Sequence, residues 1–511
     1  MIDSGVTDVF VHERLADDLP GALCLSTTMR DPLRWLLTST HKASTKRPTV
    51  WSFTGSGSSD VAHLWEKSEN RVKRARVAIA GMSVLVLVLA ACGGEEEPAA
   101  NEDGDAGEAA EEVEEVAPDD DEAPDELITG PGITDDTIFI GEITAATGPA
   151  AVFGDAITNG QVAYFSRVNE EGGVAGRQVE FMIRDSQYDV QRTVEAYTEI
   201  ADQVAVMGQI IGTPHTNAVL DNIKRDQLLT APTTAALSLA FEPEIIMVTS
   251  PYAVDMANVA EYGVEELGLG DATWGAIAPD DDFGEDHFEG VRKAVEVYDL
   301  DFTEEVTFRP TDQDFTAQVQ RLADQDVDVV LVGAIGGATP RLLGAAQQIG
   351  FEPTWLASNP TWVTAFEQVP EAHTLFVESD YYMASPFAVW GEDLPGMDEM
   401  IADLEAYTPD QPPEIYFIMG YTQARVIHAI LEQAFANNDV SREGLLEAFG
   451  GVDEVPQGGL LPDLNYGATA TERIPTRETR IFAFDDTVEG FLVPLTEYEA
   501  SEAATRVTEL D

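Results

Sequence analysis

Residues 137–184 read TIFIGEITAATGPAAVFGDAITNGQVAYFSRVNEEGGVAGRQVEFMIR, and this stretch decides the fold. Its opening, 137–143, is a short apolar run of the kind that forms a strand buried on both faces. Ile157, Val162, Phe165 and Val168 then recur on roughly one side of a helix expected over 155–171. Gly172 and Gly173 end that helix, and 178–184 begins the next strand. The same cycle repeats downstream, with strands expected near 205–211, 228–231, 273–278, 302–307 and 327–332. Helices are expected between them near 192–202, 216–224, 255–267, 285–297, 314–324 and 340–348. Repeated β-α units imply an α/β protein with doubly wound parallel sheets. The body, about 133–511, exceeds what one such core holds, so two lobes are expected. Ligands of open parallel sheets sit beyond the carboxyl ends of the strands, which makes the residues just after each strand the informative ones.

Upstream of the body, residues 71–92 read RVKRARVAIAGMSVLVLVLAAC. Arg71, Lys73, Arg74 and Arg76 precede an apolar run over 77–89, which closes on Leu89-Ala90-Ala91-Cys92. That is the layout of a secretory signal, and the run falls short of the ~20 residues that a membrane-spanning helix needs. Its ending is similar to the lipobox of bacterial lipoproteins, which implies cleavage before Cys92 and a diacylglycerol on the Cys92 sulfur. Residues 71–91 would then be signal peptide. The mature protein would work outside the cytoplasm, tied to the cell membrane through lipidated Cys92 only. A signal normally starts within a few residues of the initiator, so 1–70 is expected to be a leader from a start codon set too early. It shows no sustained helical or strand period.

Of the 28 basic and 93 acidic residues in the chain, residues 1–91 hold 11 and 9. The remainder has 17 and 84, a net charge of −67. Nucleic acid and anionic lipid both require basic patches, so neither is an expected partner. Residues 92–127 read as a disordered acidic tether, because 93–126 holds 17 acidic and no basic residues. Such a segment buries too little apolar surface to offset its ordering entropy. The two cysteines are Cys24, in the leader, and Cys92, so the body carries no disulfide, no thiol nucleophile and no cysteine metal ligand.

The segments that follow the early strands carry a resemblance. Gly148-Pro149-Ala150-Ala151-Val152-Phe153-Gly154-Asp155, Val168-Asn169-Glu170-Glu171-Gly172-Gly173-Val174-Ala175-Gly176-Arg177, 208–217 and Thr230-Ala231-Pro232-Thr233-Thr234-Ala235 are its main stretches. Together they are similar to the amino-terminal lobe of the leucine/isoleucine/valine-binding proteins, type 1 periplasmic binding proteins that serve ABC importers. The similarity continues through Asp282-Phe283-Gly284-Glu285 and Asp314-Phe315-Thr316 and fades beyond about Asn359. It implies one lobe from 128–252 plus about 380–475 and a second from 253–379 plus about 476–511. Three crossing segments would join them, near 250–254, 378–384 and 473–480.

Thr213-Pro214 directly precedes an expected helix, so Thr213 suits the N-cap and Pro214 the first helical position. Such a helix start offers N–H groups and the positive end of a dipole to an anion. The resemblance implies that Gly212 or Thr213, with the turn containing Thr233 and Thr234, holds a ligand carboxylate. It also places the carbonyl of Pro232 at the ligand's ammonium. Read without it, Thr213 only caps its helix and Thr234 only turns the chain. Phe153 and Phe283 match aromatic residues that cover the ligand from the two lobes. Ile335 stands where the family has a tyrosine, and Asn359 where it has the glutamate that pairs with the ammonium. Loss of that carboxylate sets amides and amine-free carboxylates beside amino acids as ligands.

An enzyme is not indicated, since no nucleophile, base and orienting group can be named together. Gly333-Ala334-Ile335-Gly336-Gly337 lacks the dinucleotide spacing, and 280–286 lacks that of a calcium loop. His215, His287, His373 and His428 show no metal-ligand spacing. His215, beside the anion turn, reads equally as a ligand contact and as a surface residue. The expectation is therefore a monomeric solute receptor without cofactor, metal or catalytic residue. Its lobes would close by hinge motion on a small polar metabolite: a branched-chain or other amino acid, an amide or a small carboxylate. The closed form would dock on an ABC permease and ATPase complex. The alternative is a ligand-sensing domain of the same fold that signals to a partner protein.

Overall fold

The computed structural model describes residues 24–29, 50–54 and 127–508, apart from 149, 453, 468, 470, 486, 489 and 490. The signal, Cys92 and nearly all of the tether lie outside the described residues. The chain divides into two units, 1–115 and 116–511. In the first, Cys24–Met29 and Val50–Thr54 pair as parallel strands, in a region where the sequence shows no strand period.

The second unit begins its β-α alternation with β1 (Thr137–Thr144), α1 (Ala151–Glu170), β2 (Gln178–Asp185), α2 (Val190–Ile200), β3 (Val206–Ile210) and α3 (Thr213–Asp226). β1 lies between β2 and β3 and pairs with both in parallel. Ile138, Ile140 and Ile143 are fully buried, as a strand covered on both faces requires. The strand expected near 228–231 is reduced to single parallel bridges, Met207 with Thr230 and Ile211 with Thr233. Pro232 interrupts it, having no N–H to give to a ladder.

A larger sheet follows, built by α4 (Tyr252–Glu265), β4 (Thr273–Pro279), α5 (Asp282–Tyr298), β5 (Asp301–Phe308), α6 (Thr316–Ala323), β6 (Val329–Val332), α7 (Ala338–Ile349), β7 (Thr354–Ser358), α8 (Pro370–Glu378) and β8 (Tyr381–Ser385). The chain then makes α9 (Pro395–Tyr407), α10 (Ile415–Ala436) and α11 (Arg442–Gly450) before two antiparallel strands, β9 (Arg480–Phe484) and β10 (Leu492–Pro494). The sheet order is β10-β9-β8-β7-β6-β4-β5, with β8, β7, β6, β4 and β5 mutually parallel. Tyr381–Ser385 is thus an internal strand of the larger sheet. This corrects the crossing expected near 378–384, because a strand paired on both sides cannot also be the linker; the chain leaves this sheet only after Ser385.

α10 brings the distal part of the chain back onto α1. The two helices cross backbone to backbone at Gly160 and Gly420: a Cβ on Gly160 would lie 2.4 Å from Phe417 O, and one on Gly420 2.0 Å from Ile157 O. Ile418, Tyr421, Ile427 and Leu431 of α10 are fully buried, so this helix is core around most of its circumference. Arg167 on α1 holds α9 through Asp403 at 2.8 Å and Glu399 at 3.1 Å. Among the described residues no helix is long and apolar enough to cross a membrane.

Candidate functional site

A small cavity lies where the carboxyl ends of β1 and β3 face the loops that follow β4, β6 and β7. Gly212, Thr213, Thr233 and Thr234 form one side of it, and Phe283, Ile335 and Asn359 the other; Phe153 also lines it. Of the expected site residues only Pro232 is outside the wall. Its carbonyl accepts a hydrogen bond from Gln423 Nε2 at 3.3 Å.

The start of α3 differs from expectation by one residue. Gly212, with φ of 100°, is the cap, while Thr213 and Pro214 are the first two helical residues. Glycine is needed there: a Cβ would lie 2.7 Å from His215 Nδ1, and other residues avoid that φ. Thr213 therefore does not cap its helix. Its Oγ1 lies 2.6 Å from Thr234 Oγ1, and the Gly212 N–H donates to Thr233 O at 3.0 Å, which locks the two turns together. The first N–H groups of a helix have no intrahelical acceptor. Pro214 carries none, so Thr213 and His215 supply the donors at this end. Thr233 Oγ1 and Thr249 Oγ1, both in cavity-lining residues, are buried without a hydrogen-bond partner. This side is a concentration of donors.

Phe153 packs edge-on against Tyr416 at 4.6 Å, and Phe283 against Tyr252 at 4.9 Å, so each expected aromatic is steadied by a tyrosine that also lines the cavity. His287 fixes the loop behind Phe283: its Nδ1–H donates to Phe283 O, and its Nε2 accepts from Ser358 Oγ, each at 2.7 Å. Burial pulls the His287 pKa down to about 4, so it stays neutral. Asn359 donates through Nδ2 to Asp255 at 3.0 Å and accepts from the Tyr416 hydroxyl at its backbone O (3.1 Å) and Oδ1 (3.3 Å). His215 is buried against the Tyr188 ring at 4.3 Å and lies outside the wall, which replaces the surface reading by a packing role.

The sequence reading missed Tyr188, Thr249, Tyr252, Phe387, Tyr416 and Met419. Tyr188 follows β2, so the rule that ligands meet strand ends could have found it. Tyr416 and Met419 sit in α10, whose nearly all-apolar sequence signals burial but not which residues reach a cavity. None of the lining residues is Asp, Glu, Lys, Arg or His. Burial pushes the phenols of Tyr188, Tyr252 and Tyr416 up, so all three remain neutral. The two sides also touch directly. Asn217 Nδ2 donates to Asp282 Oδ2 at 2.7 Å, and Leu237 N to Asp286 Oδ1 at 2.6 Å. The arrangement can hold an acidic end among donors and an apolar remainder among rings. It brings no nucleophile together with a base.

Residues 137–486 match the periplasmic binding protein family. Over 360 residues the chain is 23% identical to the Leu/Ile/Val-binding protein BraC3 of Rhizobium johnstonii, covering 65% of this chain and 88% of that protein. The chain is a type 1 periplasmic binding protein of the Leu/Ile/Val-binding family. Among solved structures, this binding protein superposes on the fatty acid ABC transporter substrate-binding protein from Thermomonospora curvata with a TM-score of 0.70. The two are 30% identical, over 75% of this chain and 98% of the other. A branched chain amino acid ABC transporter protein from Thermus thermophilus, solved with bound valine, shares the fold with a TM-score of 0.64 and 20% identity, over 74% and 99% of the chains. As a member, this protein is an extracytoplasmic substrate-binding protein of ABC transporters. Its family binds small solutes and works with permeases rather than catalysing reactions.

Proposed function

We propose that this binding protein is the lipid-anchored receptor of an ABC importer, and that its cleft takes an amine-free monocarboxylic acid with an apolar body. The observation that carries this reading is the cavity wall, which has donors at one end, hydrocarbon over the rest and no charged side chain. An α-amino acid would bury its ammonium there without a counter-charge, at a cost of several kcal/mol, on the order of the penalty for any unpaired buried ion. A carboxylate needs no cation at a helix N-terminus, where N–H groups and hydroxyls make charge-assisted hydrogen bonds to it. Thr213, Thr233, Thr234 and Thr249 supply the hydroxyls, and Phe153, Phe283, Ile335 and Met419 the apolar contact. The relative named for a fatty acid ligand, 30% identical, supports an acid with a hydrocarbon tail. In this reading the segments 128–252 with about 380–475 move against 253–379 with about 476–511, the middle boundary shifted beyond Ser385, and the closed form meets the permease.

The test is a thermal-shift screen of the full chain, refolded to strip carried-over ligand, against straight and branched monocarboxylic acids, the matching amino acids and their amides. A ligand at 100 times its Kd adds about 2.7 kcal/mol of stability. We expect shifts from the acids and none from the amino acids; shifts confined to amino acids would contradict the reading. For the anchor, Cys92→Ser should move the protein from the membrane to the soluble fraction. Native peptides from 1–70 would contradict the early-start reading of the leader.

A further inference from the structure

The geometry points to Asp255 as the residue that sets the cleft's refusal of amines: it holds the Asn359 carboxamide as a built-in stand-in for a ligand ammonium. This rests on the amine-free reading above and gives it a mechanism. Asp255 is fully buried in the first turn of α4, outside the cavity wall. Its Oδ1 accepts from Ser250 Oγ at 2.5 Å and its Oδ2 from Asn359 Nδ2 at 3.0 Å. Asn359 is itself part of the wall, and its carbonyl oxygens take the Tyr416 hydroxyl. The amide is therefore oriented by both neighbours: the nitrogen must face the carboxylate, and the oxygen faces the phenol.

The cavity is thus not remote from an acidic group: the Asp255 carboxyl, raised by burial to about 7, sits one side chain behind it and carries its charge above that pH. Asn359 Nδ2 occupies the distance from Asp255 Oδ2 that an ammonium nitrogen would take. A ligand amine would have to displace a group that is covalently fixed beside its acceptor, a contest it loses on effective concentration. Removing the carboxamide reverses this. It leaves a buried carboxylate short of a donor and opens the space in front of it, so an amine reaching that space restores the bond. Asn359→Glu does not achieve the same, because two carboxylates in contact hold a proton between them and one loses its charge.

The experiment is calorimetric titration, at a pH above 7 where the Asp255 carboxyl is ionised, of the full-length wild type, Asn359→Gly, Asn359→Ala and each variant combined with Asp255→Asn, using leucine and its amine-free analogue 4-methylpentanoate. Both single variants should bind leucine at least tenfold more tightly than the wild type does, and adding Asp255→Asn should abolish the gain with the double variants still folded by circular dichroism. Asn359→Ala keeps a Cβ and decides the matter if the glycine variant fails to fold. A folded variant with no gain in leucine affinity overturns the inference, as does a gain that survives Asp255→Asn. If the wild type ignores 4-methylpentanoate yet Asn359→Ala gains Asp255-dependent leucine binding, the inference stands and the amine-free reading falls. A wild type that binds 4-methylpentanoate, with no gain in the variants, gives the opposite result. Leucine bound by the wild type as tightly as 4-methylpentanoate overturns both.

Discussion

The two sides of the cleft are made of different material. Around the start of α3 the wall is made of backbone N–H groups and short hydroxyls, held by contacts such as Thr213 to Thr234, only 21 residues apart. Opposite them, Ile335, Phe283 and Asn359 present hydrocarbon and a neutral amide, and the fixing contacts are distant in sequence, 104 residues for Asn359 to Asp255. On the proposed reading the first side attracts an anion by offering donors, and the second excludes a cation by keeping the Asp255 carboxyl paired from within. Specificity in this cleft therefore depends on which polar groups are left without partners and which are already paired.

The heaviest blow to that contrast should come at Tyr416, the residue that touches both sides. Tyr416→Ala removes the edge contact to Phe153 and the hydrogen bonds to Asn359; we expect a stability loss of about 3–5 kcal/mol by chemical denaturation, typical of a buried aromatic truncation. Thr234→Ala should act on the donor side alone, weakening acid binding by about 1–3 kcal/mol in calorimetry with little change in melting temperature. Unchanged affinity would remove Thr234 from the site.

The carboxylates at the junction between the two sides give a pH signature. Burial raises Asp286 to about 8 and Asp255 and Glu414 to about 7, so the folded form keeps protons that the unfolded chain releases near pH 4. Stability from these groups is present at low pH and lost as pH rises from about 4 to about 8, at most about 1.4 kcal/mol per pH unit for each. His287, pulled to about 4, works the other way: its contribution is complete above its unfolded pKa and lost as pH falls toward 4. Asp286→Asn should flatten the decline measured by denaturation between pH 6 and 8; an unchanged slope would assign it to other groups. The smallest effect is expected at Ile335→Val, about 0.5–1.5 kcal/mol of affinity for a branched acid, read by calorimetry as the loss of one methylene contact. A change only in stability would place Ile335 in the core rather than on the ligand.

The same contrast explains what could be read from the sequence. The β-α repeats through α7 were legible because each is a local pattern, an apolar run or a helical period, whereas Phe153, Phe283 and the two threonine turns were marked as wall residues by the family resemblance. Thr213 was misread as a cap because the left-handed φ of Gly212 leaves no mark in the sequence beyond glycine itself. The contacts of the Pro232 carbonyl and the burial of His215 left no mark in the sequence because their partners, Gln423 and Tyr188, approach only in the folded chain. Tyr416 and Met419 were invisible for a similar reason. They come from the return of α10 onto α1, a contact fixed by Gly160 and Gly420 that no spacing announces.

The most direct measurement is a calorimetric titration of the refolded wild-type chain with 4-methylpentanoate and with leucine, two ligands of the same carbon skeleton that differ by one ammonium group. We expect the acid to bind and leucine to bind at least about tenfold more weakly, which is about 1.4 kcal/mol against the buried ammonium. Leucine binding as tightly as the acid, or more tightly, would contradict a cleft that selects against amines.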